Sequence, residues 1–209
     1  MTRAILSLFG VFFTLWMGWV FLLLEFPVLS GGFIRATVRL SVWLGVAFVF
    51  VRFYEKRPFW EHVKLRAHVV RGLVWGVSCS ALLLIPSIAY RVYVSNQVFH
   101  WPQDVGTWLN PILTAPLAEE ILFRGVIFQG LRTGSGFLRS ALNSSLLFAL
   151  VHVPYWILSG SQPGLALPTN LAGVFILGVV FCWLLERSRS LWAPIVYHVL
   201  NNLVGQSFV

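Results

Sequence analysis

Apolar runs of about 20 residues recur along the whole chain, separated only by short polar gaps. An α-helix rises about 1.5 Å per residue, so a run of that length crosses the roughly 30 Å hydrocarbon interior of a bilayer. No water is available there to satisfy backbone N–H and C=O groups, which restricts spanning structures to helices and closed barrels. The runs are continuous rather than alternating in segments of about ten residues, and this selects helices. The expected fold is an all-α, polytopic transmembrane helix bundle of about seven spans, near residues 4–24, 37–54, 69–90, 107–131, 140–158, 168–185 and 190–208. Composition agrees: 58% of the 209 residues are hydrophobic and only 11% charged, too few to coat a soluble globule. No repeat, low-complexity tract or soluble domain interrupts the pattern, so residues 1–209 read as a single integral membrane domain.

The net charge of +8 is not a nucleic-acid footprint, because the basic residues lie in the gaps between spans and form no separate basic domain. Of the 15 Lys and Arg residues, 11 fall at the N-terminus or in the second, fourth and sixth loops. Arg35, Arg39 and Arg91 fall on the opposite side, and Arg124 lies within a span. That bias predicts a cytoplasmic N-terminus and an outer C-terminus, in what the compactness of the protein points to as a bacterial inner membrane. The longest polar gap, EKRPFWEHVKLRAH, mixes bases with Phe59, Trp60 and Leu65, as an interfacial helix does. Arg3 followed by apolar residues has the charge of a signal peptide, but the apolar stretch is longer than usual and reads as a retained first span. Cys79 and Cys182 sit inside apolar runs without CxxC spacing and read as small packing residues.

Against this background, charges inside a span are expensive. The fourth span holds Glu119, Glu120 and Arg124; at about 2.5 to 3.5 kcal/mol each, they cost on the order of 8 kcal/mol before any pairing. Glu120 and Arg124 are four apart and share a helix face, acid before base, whereas Glu119 is turned about 100° away. One Glu and one Arg could be a structural clasp; the second Glu is what a clasp leaves unexplained. The fifth span contains FALVHVP, with His152 just before Pro154, which removes a backbone hydrogen bond, kinks the helix and makes room beside the imidazole. The seventh contains YHVLNNL, where His198 and Asn202 share a face and Asn201 is turned away. Each of these alone could be glue between helices. Counted from the span ends, however, they fall near one depth, which favours a single reaction centre in the bundle interior. His62, His68 and His100 lie in loops and receive no chemistry. In HWPQDVGTWLNPILTAP, residues 100–116, Pro111 and Pro116 disturb the start of the fourth span. An aromatic belt anchored by Trp101 and Trp108 is the favoured reading and a re-entrant gate the alternative.

Three motifs, EExxxR (Glu119, Glu120, Arg124), FxxxH (Phe148, His152) and HxxxN (His198, Asn202), follow one another on three spans. The set resembles the CPBP family of intramembrane proteases, which includes the Rce1 prenyl-protein endopeptidase and bacterial CAAX-protease and bacteriocin-processing or immunity proteins. The resemblance covers about residues 110–205; the first three spans match only in being apolar, and there is one span fewer than in the prenyl-protein member. It implies a glutamic-type endopeptidase without a cofactor or metal. In that implied scheme Glu119, helped by His152, takes a proton from the attacking water, Glu120 and Arg124 support it, and His198 and Asn202 donate hydrogen bonds to the oxyanion. An apolar span suits such a base, since burial makes a carboxylate hold a proton more tightly. The implied partner is a membrane-associated protein or peptide, either lipidated or carrying a C-terminal transmembrane helix, together with the bilayer and no nucleic acid. Two alternatives stay open. His152, His198 and a Glu are the ligand types of a catalytic zinc site, although HExxH is absent. A non-catalytic immunity or binding protein, or a small transporter, could also line a path with these charges.

Overall fold

The computed structural model describes residues 2–208, so the outermost positions of the 1–209 domain lie outside the described residues. Besides a short 3-10 helix at Pro27–Ser30, nine helices follow one another among them: α1 (Thr2–Glu25), α2 (Gly32–Val49, prolonged by a wide turn over Phe50–Tyr54), α3 (Phe59–His62) and α4 (Val69–Tyr93). α5 is one helix of five consecutive segments, Val105–Thr107, Trp108–Thr114, Ala115–Glu120, Ile121–Phe128 and Gln129–Arg132. Then come α6 (Phe137–Leu150), α7 (Val153–Leu158), α8 (Ala166–Ser188) and α9 (Trp192–Ser207). An isolated antiparallel bridge joins Phe99 to Phe208.

Among the described residues, five helices are long and apolar enough to cross a membrane: Arg3–Glu25, Gly32–Tyr54, Val69–Tyr93, Phe137–Leu158 and Ala166–Ser188. The other two of the expected seven spans are α5 and α9, and the physical reason is their content. α5 carries Asn110, Glu119, Glu120 and Arg124, and α9 has only 16 residues, about 24 Å of rise. They are also the helices that the other elements surround, so their polar residues face protein rather than lipid.

Aromatic rings bind the first two helices to the motif-bearing ones. Phe12 meets Trp43 at 4.7 Å, Trp43 meets Phe123 at 5.9 Å, and Phe123 meets Phe148 at 5.2 Å, all edge to face. This series of rings runs from α1 through α2 and α5 to α6. Two close backbone approaches depend on glycine. A Cβ on Gly32 would collide with the Cα of Gly106, so the starts of α2 and α5 approach this closely only with glycine at position 32. A Cβ on Gly178 would lie 2.8 Å from the Ser145 side chain, which sets how near α8 comes to α6.

Asp104 opens α5 as its N-cap, accepting from the amides of Gly106 at 2.9 Å and Thr107 at 2.6 Å. The Thr107 hydroxyl, then those amides, hold its carboxyl below the usual range. Just upstream, Trp101 stacks on Trp108 at 6.1 Å, and Trp108 Nε1 donates to the Pro102 carbonyl at 2.9 Å. The His100 amide donates to the Ser207 carbonyl at 2.8 Å, so residues 99 and 100 are tied to the end of α9.

Candidate active site

The two proline residues ahead of the acidic pair change the pitch of α5. Over Trp108–Thr114 the helix is wide, and the Ala115 N–H bonds the Asn110 carbonyl, five residues back. In that register the donor owed to the Pro111 carbonyl is residue 116, which is proline and has no N–H. Asn202 of α9 fills the vacancy: its Nδ2 donates to the Pro111 oxygen at 2.8 Å. A second wide stretch, Ile121–Phe128, follows directly after the acidic pair. Wide turns of this kind recur at functional sites.

Between the two wide stretches, Glu119 and Glu120 turn to different sides of His198. The Nδ1 of His198 lies 2.9 Å from Glu120 Oε1, and its Nε2 lies 3.8 Å from Glu119 Oε2. Glu120 and Arg124 are fully buried, and Glu119 and His198 are each 6% exposed. Burial on this scale demands partners for charge. Glu120 Oε1 accepts from Arg124 Nη1 at 3.2 Å, and Arg124 Nη2 donates to the Gly178 carbonyl at 3.3 Å. The guanidinium lies 4.2 Å from the Phe148 ring centre and 4.8 Å from that of Phe181, which adds cation–π attraction on both sides. Phe181 also stacks on His198 at 4.7 Å.

Glu119 is paired with a residue from outside the three motifs. Arg39 of α2 reaches it with Nη1 at 3.1 Å from Oε1, while the Arg39 guanidinium lies 5.4 Å from the Trp16 ring and 5.9 Å from Trp43. Charge counting groups Arg39 with the outer-side loop bases; in the structure it lies about two turns inside α2, with its side chain turned toward α5. The available signal is its spacing: Arg35 and Arg39 are four apart at the edge of an apolar run.

The helix breaks at Pro154, as its sequence position implies. α6 ends at Leu150, α7 begins at Val153, and the His152 amide bonds the Ala149 carbonyl at 3.1 Å. The Phe148 carbonyl accepts instead from His152 Nδ1 at 2.9 Å. A carbonyl only accepts, so Nδ1 carries the proton and Nε2 of the neutral ring keeps its lone pair.

A cavity of ≈ 470 Å³ joins these groups: Glu119, His152, His198, Asn201 and Asn202 all line it, as do Arg35, Arg39 and Asn110. The structure thus brings Glu119, His152, His198 and Asn202 to one space, with Glu120 and Arg124 behind His198. Among the described residues no three His, Cys, Asp or Glu side chains are placed to hold a metal ion. Chemically, the space offers a carboxylate with one oxygen toward an imidazole, a second imidazole with a lone pair, and amide donors.

Residues 100–204 match a family profile described as type II CAAX prenyl endopeptidase Rce1-like. The candidate membrane peptidase YdiL of Bacillus subtilis (strain 168) is 29% identical over 90 residues, 43% of this protein. That alignment spans 32% of the relative's own length. No solved structure matches significantly. The matched region runs from just before α5 to near the end of α9 and so contains every motif residue of the cavity: the chain belongs to the Rce1-like family of type II CAAX prenyl endopeptidases.

Proposed function

We propose that the protein is an intramembrane endopeptidase of glutamic type, acting on a membrane-associated protein or peptide in a bacterial plasma membrane. One observation carries this reading: Glu119, His152, His198 and Asn202, from three separate helical regions, line a single cavity inside the bundle. Glu119 Oε1 is tied to Arg39, which leaves Oε2, 3.8 Å from His198 Nε2, as the oxygen for a water molecule. Glu119, with the His152 lone pair beside it, takes a proton from that water as its oxygen attacks the scissile carbonyl. His198, which donates through Nδ1 to Glu120 and, in its imidazolium form, carries a second N–H on Nε2, and the amide of Asn202, with one N–H on Pro111 and one spare, donate to the developing oxyanion. The proton taken from water then passes to the departing amine, completing hydrolysis. Arg124 holds Glu120, and thereby His198, in place. Family membership supports the reaction class, and the arginine partners on both carboxylates favour water activation over zinc ligation.

Glu119→Gln tests the assignment. Membranes from cells carrying this variant are expected to accumulate a precursor that the wild type converts, with turnover reduced at least about 100-fold. The variant protein should remain inserted and folded. Undiminished processing of every membrane protein in such cells would remove Glu119 from its role.

A further inference from the structure

The cavity holds one charge that no acidic group among the described residues answers. Its ionisable lining is Arg35 and Arg39 from α2, Glu119 from α5, and the two imidazoles. Arg39 is paired with Glu119. Arg35, one turn earlier on the same face of α2, lines the cavity without an ion-pair partner among the described residues. Like charges at this spacing repel, and an unanswered guanidinium at the edge of an apolar interior is costly. Arg35 lies about 6 Å along α2 from Arg39, toward the end where α2 and α5 begin and α9 closes. Trp19, Asn110 and Gln206 line the cavity with it. The space leading to Glu119 is therefore a positively charged vestibule.

We propose that Arg35 is a specificity-determining residue that binds a carboxylate of the peptide substrate on the vestibule side of the scissile bond. The proposal rests on the endopeptidase reading. A guanidinium meets a planar carboxylate with two parallel N–H donors. Since Arg39 is committed to Glu119, the two arginines divide the work: Arg39 positions the reacting carboxylate and Arg35 holds the substrate's. The carboxylate belongs either to the substrate's C-terminus or to an Asp or Glu side chain. A lipid phosphate is the competing anion, but Arg35 shares a cavity with Glu119 rather than standing on the lipid-facing surface, which favours the peptide.

The test uses the full-length protein in phosphatidylcholine nanodiscs, with trileucine as free acid and as carboxamide, and binding measured by calorimetry. The free acid is expected to bind the wild type about 10- to 100-fold more tightly. Arg35→Gln should abolish that difference and Arg35→Lys restore part of it. Arg91→Gln should preserve it, because Arg91 bonds Gln97 at the same end of the bundle but outside the cavity. A carboxamide peptide with an internal glutamate separates the sources: tight binding assigns the site to acidic side chains, weak binding to the C-terminus. Equal affinity for acid and carboxamide, or a difference that survives Arg35→Gln, overturns the proposal. So does loss of the difference in phosphatidylglycerol discs, which would make Arg35 a headgroup site. Binding needs no cleavage, so the two readings fail separately. Processing that survives Glu119→Gln removes the peptidase alone; Glu119-dependent cleavage without acid preference removes the subsite alone.

Discussion

Glu120 Oε1 receives both Arg124 and His198, and its other oxygen is buried without a partner among the described residues. Removing either member of the Glu120–Arg124 pair leaves a charge stranded where neither side chain has any exposure. Glu120→Ala or Arg124→Ala is therefore expected to cost about 3 to 5 kcal/mol, read by thermal unfolding in detergent. Replacing both together, Glu120→Gln with Arg124→Met, should cost clearly less than either single change; an additive loss would mean the two do not act as a pair. At this scale the sequence is informative along one helix and silent between helices. The spacing of Glu120 and Arg124 names their partnership, since residues four apart share a face. The partnership of Arg39 with Glu119 is separated by 80 positions, and no local rule reports which faces of α2 and α5 meet. Phe148 is likewise visible only as part of a motif, whereas its ring covers the Arg124 guanidinium.

The element that shapes the site is α5, whose first wide stretch contains Pro111 and ends just before Pro116. Both are legible as disturbances; their effect is not, because a sequence read at 3.6 residues per turn assumes the very pitch that is altered. Five residues apart, they leave the Pro111 carbonyl without a main-chain donor and make Asn202 a replacement for it. Asn202→Ala is expected to cost about 1 to 3 kcal/mol by exposing that need. In a Pro116→Ala background, which returns an N–H to the helix, the same change should cost under about 1 kcal/mol. Equal losses in both backgrounds, measured by thermal unfolding, would show that Asn202 and Pro116 are not linked through this carbonyl. The break between α6 and α7 is easier to foresee, since a proline two residues after His152 interrupts an otherwise regular helix.

For the whole molecule, hydropathy makes the all-α bundle plain and locates its lipid-facing helices well, because those are the ones whose composition the bilayer dictates. It is least direct for α5 and α9, which answer to protein neighbours instead. Charge counting over the expected spans sets 11 bases against Arg35, Arg39 and Arg91. A cytoplasm-only reporter fused after Val209 should accordingly be silent, and one fused before Met1 active; the reverse pattern would invert the proposed orientation. The burial of α5 has a further consequence, for biogenesis. Taken singly, the segment that carries the acidic pair is among the poorest candidates for release into lipid, since Glu119, Glu120 and Arg124 are tolerable only once α2, α8 and α9 supply Arg39, the Gly178 carbonyl and His198. Synthesis reaches α8 and α9 only after α5, so the burial partners of the acidic pair are complete only on the arrival of α9.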